Sequence, residues 1–245
     1  MHSEDNDIQI HPIGTLRSCF PEKFGIPRQP GLASAAIGRI LIHPPFDREE
    51  AFRGLEGFSH LWLTFQFHLA VRDTWQPTIR PPRLGGNRRI GVFASRSPFR
   101  PNNLGLSVVR FKGLKREAEG LTLEVSGVDL VDGTPILDIK PYLPYVDRVE
   151  DAFTDWAEAP EQPLLPVDFS PVAEQALLGF ESSRYPQLHT LISQLLAQDP
   201  RPGYRRGVAE NRTYAMAIYD LDVIFRIEPG SVLVENIRRN ADKSP

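Results

Sequence analysis

The sequence predicts a mainly β protein, an antiparallel β-barrel followed by a small α+β C-terminal domain. Three observations carry this expectation. Most apolar segments before residue 145 are short, rich in β-branched and aromatic residues, and bounded by Gly, Pro or Asn. Proline accounts for 23 of 245 residues, well above its usual share of about 5%. That excludes a long helical bundle or coiled coil, because proline breaks helix interiors. Sustained helical spacing of apolar residues appears only in the last third of the chain.

Six strands are expected in order: residues 36–43 (AIGRILIH), 60–67 (HLWLTFQF), 89–94 (RIGVFA), 104–111 (LGLSVVRF), 121–125 (LTLEV) and 136–140 (ILDIK). Glu119-Gly120 signals a turn between two of them, and Asp132-Gly133 one before another. So many strands with so few helices between them fit a barrel or sandwich rather than a doubly wound sheet. A short helix is expected over 47–52, capped by Asp47. Composition changes near residue 145: from 145 to 181 there are nine acidic residues and one basic one, Arg148. Residues 159–166 (APEQPLLP) read as a linker. Ser170-Pro171 then reads as an N-cap and first helical residue, opening a helix over 172–181. Residues 185–198 place Leu188, Leu191, Ile192, Leu195 and Leu196 at three- and four-residue spacings, an amphipathic helix. Strands over 213–219, 222–227 and 232–237 follow. The expected domains are 8–150 and 165–238.

A lone cysteine, Cys19, excludes an intramolecular disulfide and a four-cysteine zinc site. The polar, acidic N-terminus has no signal-peptide pattern, and no apolar run approaches the roughly 18 residues of a membrane span. A cytoplasmic protein is expected. The net charge of −3 conceals a strong asymmetry: residues 74–116 contain ten basic residues and no acidic one. Arg201, Arg205, Arg206 and Arg212 form a second basic cluster. Such clusters suit phosphate, which arginine forks grip bidentately, with Trp75, Phe93, Phe99 and Tyr204 available to stack on bases. A solvated basic face, an acidic substrate or a nucleotide cofactor fits the same pattern. There is no G-x-G-x-x-G fingerprint, Walker A motif, H-E-x-x-H or G-x-S-x-G elbow. The loops 81–87 and 97–105, rigid with proline and basic, are the natural binding elements.

Five segments of the first domain, PRQPG (27–31), GLEGFSHLW (54–62), RPPRLGGN (80–87), GVFASRSPFRPNNLG (91–105) and DGTPILDIKPY (132–142), resemble the TsaA-like/YaeB-like family. These are the TrmO-type tRNA adenosine-37 N6-methyltransferases. DPRPGYR (199–205) is similar to a motif of that family's C-terminal domain, so the likeness is close to full length. One departure is Asn103, where relatives often have proline. The resemblance implies a single-sheet, non-Rossmann barrel that binds S-adenosyl-L-methionine. It also implies methylation of N6-threonylcarbamoyladenosine beside the anticodon of tRNA, and a homodimer with the cofactor near the subunit interface. Carried over by position, it implies cofactor contacts from Pro27, Arg28, Gln29, His68, Leu69, Arg96, Leu106, Asp132, Gly133, Thr134 and Pro135.

An N6 nitrogen bearing a carbamoyl group is a poor nucleophile, so a proton acceptor helps. Asp138 and Tyr142, close in sequence to the Asp132-Gly133 turn, are the expected catalytic pair, and Arg201, Tyr204 and Arg205 are expected to grip the anticodon arm. Two other functions fit the basic loops: a non-catalytic RNA- or nucleotide-binding module, and a methyltransferase of the same fold with a different acceptor.

Overall fold

The computed structural model of the chain describes residues 8–81, 84, 88–157, 164–201 and 212–240. The first domain is a closed six-stranded barrel. Its staves are β1 (Gly14–Ser18), β2 (Ile37–Ile42), β3 (His60–Gln66), β6 (Leu104–Glu117), β7 (Gly120–Ser126) and β8 (Thr134–Pro141). They close in the order β1-β2-β7-β6-β3-β8, and every neighbouring pair is antiparallel. Alternation decides what faces inward. Leu61, Leu63 and Phe65 of β3 pack inside with Leu16, Ile40, Val109, Leu123, Val125 and Ile136. Burying each such side chain contributes about 1.5–3 kcal/mol. Gly105 lies opposite Phe65. A Cβ there would sit 2.2 Å from Phe65 Cζ, so the missing side chain is what lets the ring fill the barrel.

Two expectations are corrected here. The sixth stave is β1, whose sequence GTLRS carries a single large apolar residue. The expected strand 89–94 is not a stave. Only β5 (Ile90–Gly91) is extended, paired with β4 (Thr78–Ile79) outside the barrel, and Val92–Ala94 forms a 3₁₀ turn. The expected helix at 47–52 is a 3₁₀ turn at Glu49–Phe52 without a side-chain cap. Asp47 instead meets Arg116, which bonds its carbonyl at 3.0 Å.

After α1 (Pro144–Asp147), the second domain is a four-stranded sheet in the order β10-β11-β12-β9. These are β9 (Val167–Phe169), β10 (Thr213–Ile218), β11 (Leu221–Glu228) and β12 (Ser231–Arg239), with helices α2 (Pro171–Leu178) and α3 (Leu188–Leu196). Ser170 caps α2 as expected, its Oγ accepting from Ala173 N at 3.1 Å. Helix α3 begins three residues later than expected, after Gln187 in the left-handed region (φ 53°), and buries all five periodic leucine and isoleucine side chains. The two domains share one core. The loop after β1 joins them: Tyr219 N donates to the Cys19 carbonyl at 2.8 Å and Ala35 N to Gln194 Oε1 at 2.9 Å. Among the described residues, no helix is long and apolar enough to cross a membrane.

Candidate functional site

The register fixes which loops meet. Ser18, Ile37, Gln66, Leu104, Ser126 and Thr134 all lie at one end of the barrel, because Ser18 faces Gly38, Ile37 faces Ser126, Gln66 faces Leu104 and Leu16 faces Thr134. Three loops therefore converge on this mouth: 19–36, 67–103 and 127–133. They carry Pro27, Arg28 and Gln29, then His68, Leu69 and Arg96, then Asp132 and Gly133, with Thr134, Pro135 and Leu106 on the adjoining strand ends. The eleven expected cofactor residues, scattered over more than a hundred positions, thus belong to one end of one barrel.

Local bonds hold the loops together. Lys23 Nζ donates to the Leu69 carbonyl at 2.8 Å, tying the first loop to the His68–Ala70 turn. Asn103, with φ 49°, donates from Nδ2 to the carbonyls of Pro98 (2.8 Å) and Ala70 (3.3 Å). Proline can adopt neither that φ nor that donor role, so the departure from the family pattern has a structural task here. The basic loop also uses its own arginines: Arg100 Nη1 donates to the Ser95 carbonyl at 2.8 Å, and Arg72 lies 3.7 Å over the Phe99 ring. Arg96 remains exposed, with Nη2 3.5 Å from the Leu106 carbonyl.

The mouth is a slot as well as a rim. β6 pairs with β7 only from Arg110, opposite Ser126. Leu104, Leu106 and their neighbours up to Val109 therefore pair with β3 on one side and, among the described residues, with no strand on the other. Segment 127–131 flanks this unpaired edge. Ser107 bridges the gap, its Oγ donating to Asp129 Oδ1 at 2.8 Å. Asp129 is a residue that sequence reasoning missed. Burial pushes its carboxyl up to about 6, opposed by the Ser107 hydroxyl, its own main-chain N–H and the nearby Arg96 charge. The available signal was a lone acid inside the apolar run Val128-Asp129-Leu130-Val131.

The Asp132 turn is built differently from the expectation of a free acceptor. Asp132 Oδ1 accepts from Ser18 N at 2.9 Å, and Oδ2 lies 3.6 Å from Arg17. Gly133 has φ 79°, a conformation that favours glycine. A Cβ there would meet nothing within 4 Å among the described residues, so the position is open rather than packed. Thr134 is buried, its hydroxyl donating to the Val131 carbonyl at 2.6 Å.

Other expected residues lie elsewhere. Asp138 projects from the outer wall of the barrel, in a row with Thr64 and Leu106, and sits 3.8 Å from Lys140. Tyr142 is at the opposite end, its N–H on the His60 carbonyl at 2.9 Å and its ring against Trp62. The six residue steps of β3 from His60 to Gln66 separate it from the mouth by about 20 Å. Within one chain, neither side chain is beside the Asp132 turn. Arg201 is buried, its guanidinium forked on Asp199 at 2.9 and 2.8 Å. Its carbonyl accepts from Arg28 Nη2 at 3.2 Å, so it organises the first loop instead of projecting toward RNA. Tyr204 and Arg205 lie outside the described residues.

The donor set fits S-adenosylmethionine. His68 Nδ1 is buried without a partner among the described residues, a cost of about 1–3 kcal/mol that a bound polar ligand removes. The unpaired β6 edge and open Gly133 offer main-chain groups to an adenosine moiety, and Arg96 suits a carboxylate. In the loop 67–103 that leaves this end, Arg80, Arg88, Arg89 and Arg96 are exposed. Trp75 and Phe93 form an exposed aromatic pair with centroids 6.2 Å apart. A separate groove of about 800 Å³ lies at the far end, between the Glu49–Phe52 turn and the β6–β7 hairpin. It is lined by charges of both signs, and Arg116 there pairs with Glu49 at 2.9 Å.

Comparison with known proteins agrees with this arrangement. The family model of the tRNA-methyltransferase O N-terminal domain matches residues 15–148, and that of the TrmO C-terminal domain matches 162–240. The chain is 46% identical to the tRNA (adenine(37)-N6)-methyltransferase of Escherichia coli, over 91% of this chain and 94% of the relative. It is 52% identical to a putative S-adenosylmethionine-dependent methyltransferase of Pseudomonas aeruginosa, over 87% and 90% of the two chains. A crystal structure of TrmO from Pseudomonas aeruginosa superposes with a TM-score of 0.79 at 42% identity, covering 96% of this chain and all of that one. A slotted six-stranded barrel with full-length likeness of this kind places the chain in the TrmO family.

Proposed function

We propose that this chain transfers a methyl group from S-adenosylmethionine to N6 of the modified adenosine at position 37 of tRNA, the acceptor being N6-threonylcarbamoyladenosine. The single observation that carries this reading is the convergence of the three loops on one slotted mouth, with a His68 Nδ1 that has no partner among the described residues and a rim of exposed arginine charge. S-adenosylmethionine supplies a methyl carried on sulfonium sulfur, whose departure as a neutral thioether needs no charge stabilisation. The chain's task is then to hold the reacting atoms in line, which can supply several kcal/mol of the barrier reduction.

His68, Arg96, the β6 edge at Leu106 and the Asp132–Pro135 turn hold the donor in this reading, with Pro27, Arg28 and Gln29 closing over it. Arg80, Arg88 and Arg89 meet the phosphates of the anticodon arm, and Trp75 and Phe93 stack on loop bases. A tRNA substrate makes the cytoplasm the site of action.

The chain works as a homodimer in this reading. Supporting it, Leu104 and Leu106 on β6 and Tyr145 and Val146 on α1 are exposed large apolar residues. Trp62 Nε1, on Asp147 Oδ2 at 3.0 Å, anchors α1 to β3. Asp138 and Tyr142 belong to the same side, and would meet a mouth only across the dimer. The test is incubation with methyl-labelled S-adenosylmethionine and tRNA with or without the threonylcarbamoyl group. Label on the modified tRNA alone supports the reading. Cofactor binding without transfer to that tRNA points to another acceptor, and absence of cofactor binding points to a binding module.

A further inference from the structure

Reading the mouth as the methyl-donor site leaves one chemical requirement unmet: the acceptor nitrogen carries a proton that must leave. The expected candidates are badly placed, Asp138 on the outer wall and Tyr142 at the far end. Asp132 is engaged by the Ser18 N–H and Arg17. Asp129 is different. It lies beside the unpaired β6 edge, anchored through one carboxylate oxygen to Ser107, while no other residue among those described bonds its second oxygen. Arg96, whose Nη2 lies 3.5 Å from the Leu106 carbonyl on that edge, is a charge acting on it. We propose that Asp129 is the proton acceptor of the methyl transfer.

The step balances within the site. The nitrogen's electron pair forms the new N–CH₃ bond as the S–CH₃ bond breaks and its pair remains on sulfur. The N–H proton passes to the Asp129 carboxylate and from there to water. One sulfonium charge and one carboxylate charge disappear together, which suits a partly buried pair. Among the described residues, three groups act on the carboxylate: the Ser107 hydroxyl from β6, Arg96 from the basic loop, and the main-chain N–H of Asp129 itself. All three favour the ionised, proton-accepting form against the opposing effect of burial.

The proposal rests on the functional reading above, and the experiment separates the two. Wild-type chain, D129N and S107A are compared by single-turnover methylation of threonylcarbamoylated tRNA across pH 5–9. S-adenosylmethionine affinity is measured by calorimetry, folding by circular dichroism, and the Asp129 carboxyl by carbon NMR titration. D129N is expected to stay folded, bind cofactor within a few-fold of wild type, and lose about 10²–10⁴ in rate. S107A loses a hydrogen bond that favours the carboxylate, so both the NMR midpoint and the acid limb of the rate profile move to higher pH. A D129N rate within threefold of wild type overturns the proposal, and so does an acid limb that stays put while the NMR midpoint moves. If the wild-type chain itself transfers no methyl, the functional reading falls and this assignment falls with it.

Discussion

Replacing Asp129 with asparagine alters one heavy atom and exposes what that carboxylate costs the fold. Burial pushes its pKa up to about 6, whereas in the unfolded chain it ionises near the ordinary carboxylate value. A raised folded-state pKa means that the residue's stabilising contribution is complete below about pH 4 and is lost as pH rises through about 6. Above that, the folded protein carries a partly buried charge at a cost of roughly 3 kcal/mol relative to the unfolded chain. Asparagine does not titrate and can still accept from Ser107 Oγ. The stability difference between D129N and wild type should therefore shift by about 3 kcal/mol in favour of the variant between pH 4 and pH 7, and stay flat above. For a chain of this length that corresponds to about 6 °C in Tm. Urea unfolding of both proteins at half-unit pH steps reads it directly, and contributions from other titrating groups cancel in the difference. A difference that stays constant from pH 4 to pH 8 would refute the burial argument. The expected pattern, a variant that gains on wild type in stability as pH rises while losing activity, is what a functional charge held in an unfavourable site produces.

Three further outcomes follow from the packing. G105A forces the Phe65 ring out of the barrel centre and should cost about 1–3 kcal/mol in thermal unfolding, part of it recovered in the double variant G105A/F65L. R201A leaves the buried Asp199 carboxylate without its fork and should destabilise by about 3–5 kcal/mol. The tRNA affinity of its folded fraction should keep its salt slope, and an altered slope would restore Arg201 as a phosphate contact. W75A and F93A should each weaken tRNA binding by about 1–3 kcal/mol while leaving S-adenosylmethionine affinity unchanged, measured by filter binding and calorimetry.

Much of this architecture was legible in the sequence, and the misses have physical reasons. Strong alternation in HLWLTFQF and LGLSVVRF announces two staves, and Ser170-Pro171 announces a helix start. β1 escapes because GTLRS offers one large apolar residue; the stave is specified by pairing on both sides, with β2 and β8, rather than by its own composition. Residues 89–94 look like a strand but supply a 3₁₀ turn, which keeps Val92 buried and leaves Phe93 exposed. The clearest lesson concerns distance. Asp132 and Tyr142 are ten residues apart in sequence, but β8 between them is extended, and carries the tyrosine across the full height of the barrel. Arg201 misled for the opposite reason: Asp199, two residues away, folds back to claim its guanidinium. Asp129 sits in a run that reads as core, and only the parting of β6 from β7 reveals it as part of a slot.

The central claim is that the methyl donor occupies this mouth. Hydrogen exchange of the chain with and without S-adenosylhomocysteine, the demethylated product, tests it most directly. Protection is expected in segments 67–70, 96–107 and 127–135, with exchange unchanged around the far-end groove at 47–56 and 114–121. Protection confined to that far-end groove, or absent from the 127–135 turn, would contradict the account.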